Sequence, residues 1–197
     1  MTKTLYLMRH GQTLFNKRHR IQGWCDAPLT DLGVYQAQVA GQYFKNAAIT
    51  FDAAYSSTSE RACDTLEIVT NGSLPYQRVK GLKEWNFGTF EGESEDLNPP
   101  LPYEDFFVTY GGESQDQVRD RMAATILQLM QETKGKSVLM VSHGGAMANF
   151  ARAWEDNWRL DNLGHMTNCG ILKFSFEDDQ FYLEEAVDHD FSGWEEK

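Results

Sequence analysis

The chain has 197 residues, 41% hydrophobic and 24% charged, with a formal net charge of −11 and a pI near 4.8. This is the composition of a soluble globular chain, long enough to bury a sizeable core in one domain. Its acidity argues against general nucleic-acid binding, which needs clustered positive charge, and no apolar run approaches the roughly 20 residues of a membrane span.

The elements follow in chain order. Thr4 to Met8 (TLYLM) is an apolar run of strand length. Thr30 can cap a helix reaching Asn46, with Ala37, Ala40, Gly41 and Phe44 as its inner stripe. FDAAYSS, ending at Ser57, reads as a second strand, followed by a helix from Ser59 to Thr70 with Ala62, Leu66 and Val69 on one face. Gly72 and Pro75 mark a loop. The pattern then weakens, Pro99, Pro100 and Pro102 crowd together, and residues 86–111 are expected to form a surface excursion over the fold. Ser114 and Gln117 have capping-box spacing and open a long helix with Val118, Met122, Ile126, Leu129 and Met130 inward. SVLMVS (Ser137 to Ser142) is the clearest buried strand, and Gly144 begins another helix. ILKFSF and QFYLEEAV, joined across Glu177 to Gln180, are expected to close as a hairpin. Acids dominate from Glu177 onward, and residues 188–197 are expected to be a solvated acidic tail.

No repeat or linker divides the chain, so a single domain over residues 1–197 is expected. Strands alternating with helices specify an α/β fold: a three-layer sandwich, with a mainly parallel central sheet, helices on both faces and a C-terminal hairpin edge. Cys25, Cys63 and Cys169 are odd in number and form no Cys-x-x-Cys pair. That argues against a disulfide framework or zinc ribbon and, with no signal-peptide pattern, points to the cytoplasm.

The placement of charge is uneven. Lys3, Arg9, Lys17, Arg18 and Arg20 all precede the first acid, Asp26, and this opening is expected to meet an anion. Two histidines, His10 and His143, fall at the carboxyl ends of predicted strands, and each is followed by glycine (Gly11; Gly144 and Gly145). Ligands of such sheets bind beyond the carboxyl ends of the strands, and glycine lets the backbone approach them. Arg61 follows the second strand near a helix N-terminus that favours anions; alone, it could equally be a surface arginine paired with Glu60 or Asp64. Two guanidinium groups and two imidazoles on one rim suit a tetrahedral dianion. His19, His165 and His189 match no motif, and Asp188–His189–Asp190, though reminiscent of a metal trio, reads as solvated surface. Trp154 and Trp158 read as packing residues.

RHGQTLFN (Arg9 to Asn16) resembles the signature of the histidine phosphatase superfamily, the phosphoglycerate mutase-like proteins. GWCDAPLTDLG, YSSTSERACDT, LKEWNFGTFEG, GGES and VSHGG follow in family order, so the resemblance spans residues 4–145. It implies that His10 is the nucleophile that becomes phosphorylated, with Arg9, Arg61 and His143 around the phosphoryl group. It implies phosphate contacts from Asn16 and the Gly144 backbone, substrate contacts from Gln22 and Gly23, and Glu84 as the acid/base. The chemistry is consistent. An imidazole attacks only when neutral and held by its other nitrogen. A loose phosphoryl transition state asks for positioning and charge stabilisation. A leaving alkoxide needs a carboxylic acid of raised pKa, for which Glu84, among Leu82, Trp85 and Phe87, is suited.

Mutases and phosphatases of this family differ in the acceptor, a substrate hydroxyl or water. Cofactor-dependent mutases carry a longer insertion after the glutamate motif, with paired arginines. Here the span from Glu84 to Gly111 is short, and no lysine or arginine occurs between Glu84 and Arg119. The resemblance therefore implies a phosphomonoester hydrolase of the phosphatase branch, acting on a small phosphorylated metabolite without metal or cofactor. The alternative is a phosphoglycerate mutase using 2,3-bisphosphoglycerate. More remote is a non-catalytic phospholigand-binding protein.

Overall fold

The computed structural model describes residues 2–164 and 166–195; His165 and the last two residues of the acidic tail lie outside the described residues. Six strands form one sheet: β1 (Lys3–Arg9), β2 (Ala53–Ser57), β3 (Gln77–Val79), β4 (Ser137–Ser142), β5 (Ile171–Glu177) and β6 (Gln180–Val187), in the order β3-β2-β4-β1-β5-β6. The first four run parallel, and β5 and β6 add antiparallel as the expected hairpin edge. The helices are α1 (Leu14–Lys17), α2 (Asp31–Asn46), α3 (Glu60–Val69), α4 (Gln115–Glu132) and α5 (Gly144–Arg152).

Period-two alternation builds the layers. Leu5 and Leu7 of β1, with Val138 and Met140 of β4, face a core shared with Met122 and Ile126 of α4 and Met147 and Phe150 of α5. Tyr6, Met8, Leu139 and Val141 face the opposite core, against Ala37, Ala40 and Phe44 of α2 and Ala62 and Leu66 of α3. Each fully buried Leu or Phe contributes roughly 1.5–3 kcal/mol. Gly41, expected on the inner stripe of α2, is only half-buried; its role is closeness, since a Cβ there would lie 2.7 Å from the Val69 carbonyl of α3. Leu129 is likewise half-buried rather than inward.

Other departures have simple causes. The turn α1 carries a capping box from Thr13 to Asn16, a spacing hidden by the use of Asn where Glu or Gln is usual. The three residues of β3 have no apolar pattern to announce them. The 86–111 excursion is more than a surface covering. Phe107 is fully buried, and its ring lies 4.9 Å from that of Phe87 and 5.3 Å from that of Tyr103. The tail is not simply solvated: Asp188, Asp190 and Glu195 are exposed, but Trp194 packs on Tyr35 at 5.4 Å and His189 on Tyr43 at 5.3 Å. Trp154 packs on Phe181 at 5.1 Å, and Trp158 Nε1 donates to the Ala151 carbonyl at 2.9 Å.

Candidate functional site

The site follows from strand register. β1 and β4 pair in parallel with Arg9 opposite Ser142, so the next residues, His10 and His143, emerge side by side with ring centroids 5.2 Å apart. His10 Nδ1 lies 2.7 Å from the Gly11 carbonyl. A carbonyl can only accept, so Nδ1 carries the proton and Nε2 keeps its lone pair. Burial, then the charges of Arg61 and Arg9, hold the His10 pKa well below the ordinary 6.5. Burial and the same arginines, with His10 itself, do likewise for His143, whose Nε2 sits 2.8 Å from Ser57 Oγ. Both rings are thus neutral at neutral pH.

Arg61 is fully buried and is not the surface residue paired with Glu60 or Asp64 that a lone arginine suggests. Its Nη1 donates to Asp26 Oδ1 at 2.8 Å and to the Cys25 carbonyl at 2.9 Å, and its Nη2 donates to the Gly23 carbonyl at 2.8 Å. Asp26 Oδ2 accepts the Glu60 N–H, occupying a donor at the N-terminus of α3. Arg9 Nη1 donates to the Met166 carbonyl at 2.5 Å, and burial lowers its pKa from the ordinary arginine value. Arg9 Nε, Arg61 Nε, Gln22 Nε2 and His143 Nδ1 are buried and have no hydrogen-bond partner among the described residues. Buried polar atoms are rarely left unpaired, so four around one imidazole pair mark a place for a polar ligand. Three of them are donors, the set an oxyanion requires.

A cavity of about 780 Å³ opens beside this cluster, lined by Arg9, Asn16, Gln22, Glu84 and Gly144, with Arg20, Arg152, Tyr103 and Leu101 among its other walls; His10, Arg61 and His143 are not among its lining residues. Of the five early basic residues, only Arg9 and Arg20 line it; Lys3 bonds to the Met130 and Thr133 carbonyls at the far end of β1. The Asn16 side-chain oxygen Oδ1 accepts the Thr13 N–H at 3.1 Å. Gly23 has no room for a side chain, as a Cβ would sit 2.0 Å from the Trp85 carbonyl.

Glu84 departs from expectation in its surroundings. Rather than resting in an apolar niche, its carboxylate lies on the N-terminus of α5. Oε1 accepts the Trp85 and Ala146 N–H groups at 2.8 and 2.7 Å, and Oε2 accepts that of Gly145 at 2.9 Å. Oε2, with one partner, is the oxygen with capacity left for a proton or a substrate.

Four supporting residues escaped the sequence reading. Asp26 pairs with Arg61. Thr65 Oγ1 accepts the Gly11 N–H at 3.0 Å, and Asn168 Nδ2 donates to the His10 carbonyl at 3.1 Å. The Glu91 carboxylate accepts four backbone N–H groups, from Gly23, Trp24, Cys25 and Phe87. Glu91 lies in LKEWNFGTFEG, Thr65 in YSSTSERACDT and Asp26 in GWCDAPLTDLG, so membership of a motif was the signal available for these three; Asn168 lies in none. Among the described residues, no group of three His, Cys, Asp or Glu side chains is placed to hold a metal ion. Asp188 accepts a bond from the Thr167 hydroxyl, 21 residues earlier in the chain, and Asp190 accepts one from the Ser192 N–H in a local turn.

A three-layer α/β fold with two neutral imidazoles among unpaired cationic and amide donors has the chemistry to receive a phosphoryl group. The chain belongs to the histidine phosphatase superfamily, branch 1, whose model matches residues 5–189. It is 28% identical over 211 residues to a metal-independent phosphoserine phosphatase of Arabidopsis thaliana, covering 89% of this chain and 88% of that one. It is 30% identical over 163 residues to a 2,3-bisphosphoglycerate-dependent phosphoglycerate mutase of Bradyrhizobium diazoefficiens, covering 74% and 77%. The crystal structure of a phosphoglycerate mutase from Bacillus anthracis superposes with a TM-score of 0.81 at 29% identity, over 93% of this chain and 92% of that one.

Proposed function

We propose that this protein hydrolyses phosphomonoesters of small metabolites through a phosphohistidine at His10, with no metal or cofactor. The observation that carries this reading is the free Nε2 of a neutral His10 beside the unpaired Nε atoms of Arg9 and Arg61. Nε2 attacks phosphorus and the ester P–O bond breaks. The arginines, His143, Asn16 and the Gly144 backbone hold the phosphoryl oxygens, and Gln22 and Gly23 shape the turn at the substrate. The leaving alkoxide takes its proton from Glu84 Oε2. In the second step the Glu84 carboxylate takes a proton from water as that water attacks the phosphohistidine, releasing phosphate and restoring both residues.

Hydrolysis is favoured over mutation by the 86–111 excursion, which brings no cation to the cavity. One observation favours the second reading. Arg20 and Arg152 line the cavity, where they could meet a second anionic group such as that of a bisphosphorylated cofactor. A panel of phosphate esters assayed for phosphate release and for isomerisation, with and without 2,3-bisphosphoglycerate, separates the two. Phosphate release unaffected by the cofactor is expected; isomerisation dependent on it would make the protein a mutase.

A further inference from the structure

Arg121, in the middle of α4, belongs to none of the matched motifs and lines no wall of the cavity, yet it binds the backbone that carries Glu84. Its Nη1 donates to the Gly81 carbonyl at 2.9 Å and the Lys83 carbonyl at 2.8 Å, and its Nη2 to the Glu84 carbonyl at 3.1 Å. The guanidinium is oriented by Glu113, which takes Nε at 2.8 Å and Nη2 at 2.8 Å, a two-pronged pair with side chains 19% and 17% exposed. Glu113 binds the same segment from its other end: Oε2 accepts the Asn86 N–H at 2.9 Å and its carbonyl accepts Trp85 Nε1. The remaining carbonyl, that of Leu82, takes the hydroxyl of Ser142, the residue before His143, at 2.8 Å.

We infer that the Arg121–Glu113 pair is a positioning device for proton transfer: it fixes the Glu84 backbone so that its carboxylate reaches the leaving oxygen by side-chain rotation alone. The inference rests on the reading of Glu84 as the acid. Every carbonyl from Gly81 to Glu84 has a side-chain donor, and these donors come from α4, β4 and the Trp24 indole. A lysine at position 121 keeps the charge but cannot serve three carbonyls and a carboxylate in one plane. Proton transfer is sensitive to sub-ångström placement, whereas the hydrogen bonds of Arg9 and Arg61 go to Met166, Gly23, Cys25 and Asp26 rather than to residues 81–86.

The test compares an alkyl phosphate, which needs its leaving oxygen protonated, with p-nitrophenyl phosphate, which scarcely does. Arg121→Lys and Glu113→Gln are each expected to lower kcat for the alkyl ester about tenfold or more and for the nitrophenyl ester less than about threefold. In a Glu84→Gln background, Arg121→Lys is expected to add no further loss on the alkyl ester. Equal losses on both esters, or an additive loss in that background, would overturn the inference, as would failure of both variants to fold cooperatively, which would make the pair structural. If Glu84→Gln itself treats the two esters alike, the acid assignment falls and the positioning role falls with it. If Glu84→Gln discriminates and Arg121→Lys does not, the positioning role alone is refuted.

Discussion

Asp26 and Arg61 form an ion pair at 2.8 Å across the turn from Gln22 to Asp26, with the arginine fully buried and the acid at the rim. The pair leaves Arg61 Nε free while committing both terminal nitrogens to the turn, so the guanidinium is aimed before any ligand arrives. Removing the acid would leave a buried charge without its partner, which is more costly than the pair itself is worth. Asp26→Asn is therefore expected to weaken inhibition by phosphate or vanadate at least severalfold while the protein stays folded; inhibition equal to the parent's would show that the turn carbonyls suffice.

His10→Ala should abolish turnover and leave the fold intact, since His10 belongs to neither hydrophobic core. The check is incorporation of labelled phosphate that is stable in base and labile in acid. It should vanish in the variant, and retained label, or label on Ser142, would place the nucleophile elsewhere.

Glu84→Gln and Arg61→Ala should fail differently. Loss of the acid should slow alkyl phosphates by roughly 10²–10⁴ and p-nitrophenyl phosphate much less. Loss of Arg61 removes stabilisation from oxygens common to every ester, so both substrates should suffer heavily. Rates on the two esters, measured side by side, decide between the roles.

The buried histidines set a pH dependence. His10 and His143 have folded pKa values well below the ordinary 6.5. Above 6.5 they are neutral in both folded and unfolded chains, and their contribution is fully present. As pH falls from there toward the folded values, the unfolded chain takes up protons that the folded one refuses, and stability declines. Denaturant unfolding from pH 7.5 to 5 should show this loss, and His143→Asn should flatten it. The acid limb of kcat/KM should lie below pH 6.5, because the His10 nucleophile stays neutral there.

Charge at the site comes from the Arg9 and Arg61 guanidinium groups, so activity should survive prolonged EDTA treatment. A requirement for added magnesium or zinc, seen in the same assay, would show that charge is neutralised by another route.

Much of this was legible in the chain itself. The strand-His-Gly contexts of His10 and His143 and the period-two runs of β1 and β4 are local patterns, and local patterns report which residues a strand end will present. The basic opening misled in part, because proximity in sequence placed Lys3 with Arg9 although a strand's length separates them in space. Tertiary structure alone decided which acid meets Arg61, since residues 26 and 61 come together only when the turn after α1 folds against α3. It also decided the environment of Glu84, whose sequence neighbours are apolar but whose carboxylate meets the N–H groups of a helix some sixty residues away. Sequence carries periodicity and the identity of reactive groups. The partners that orient those groups are chosen by long-range packing, and no local pattern records them.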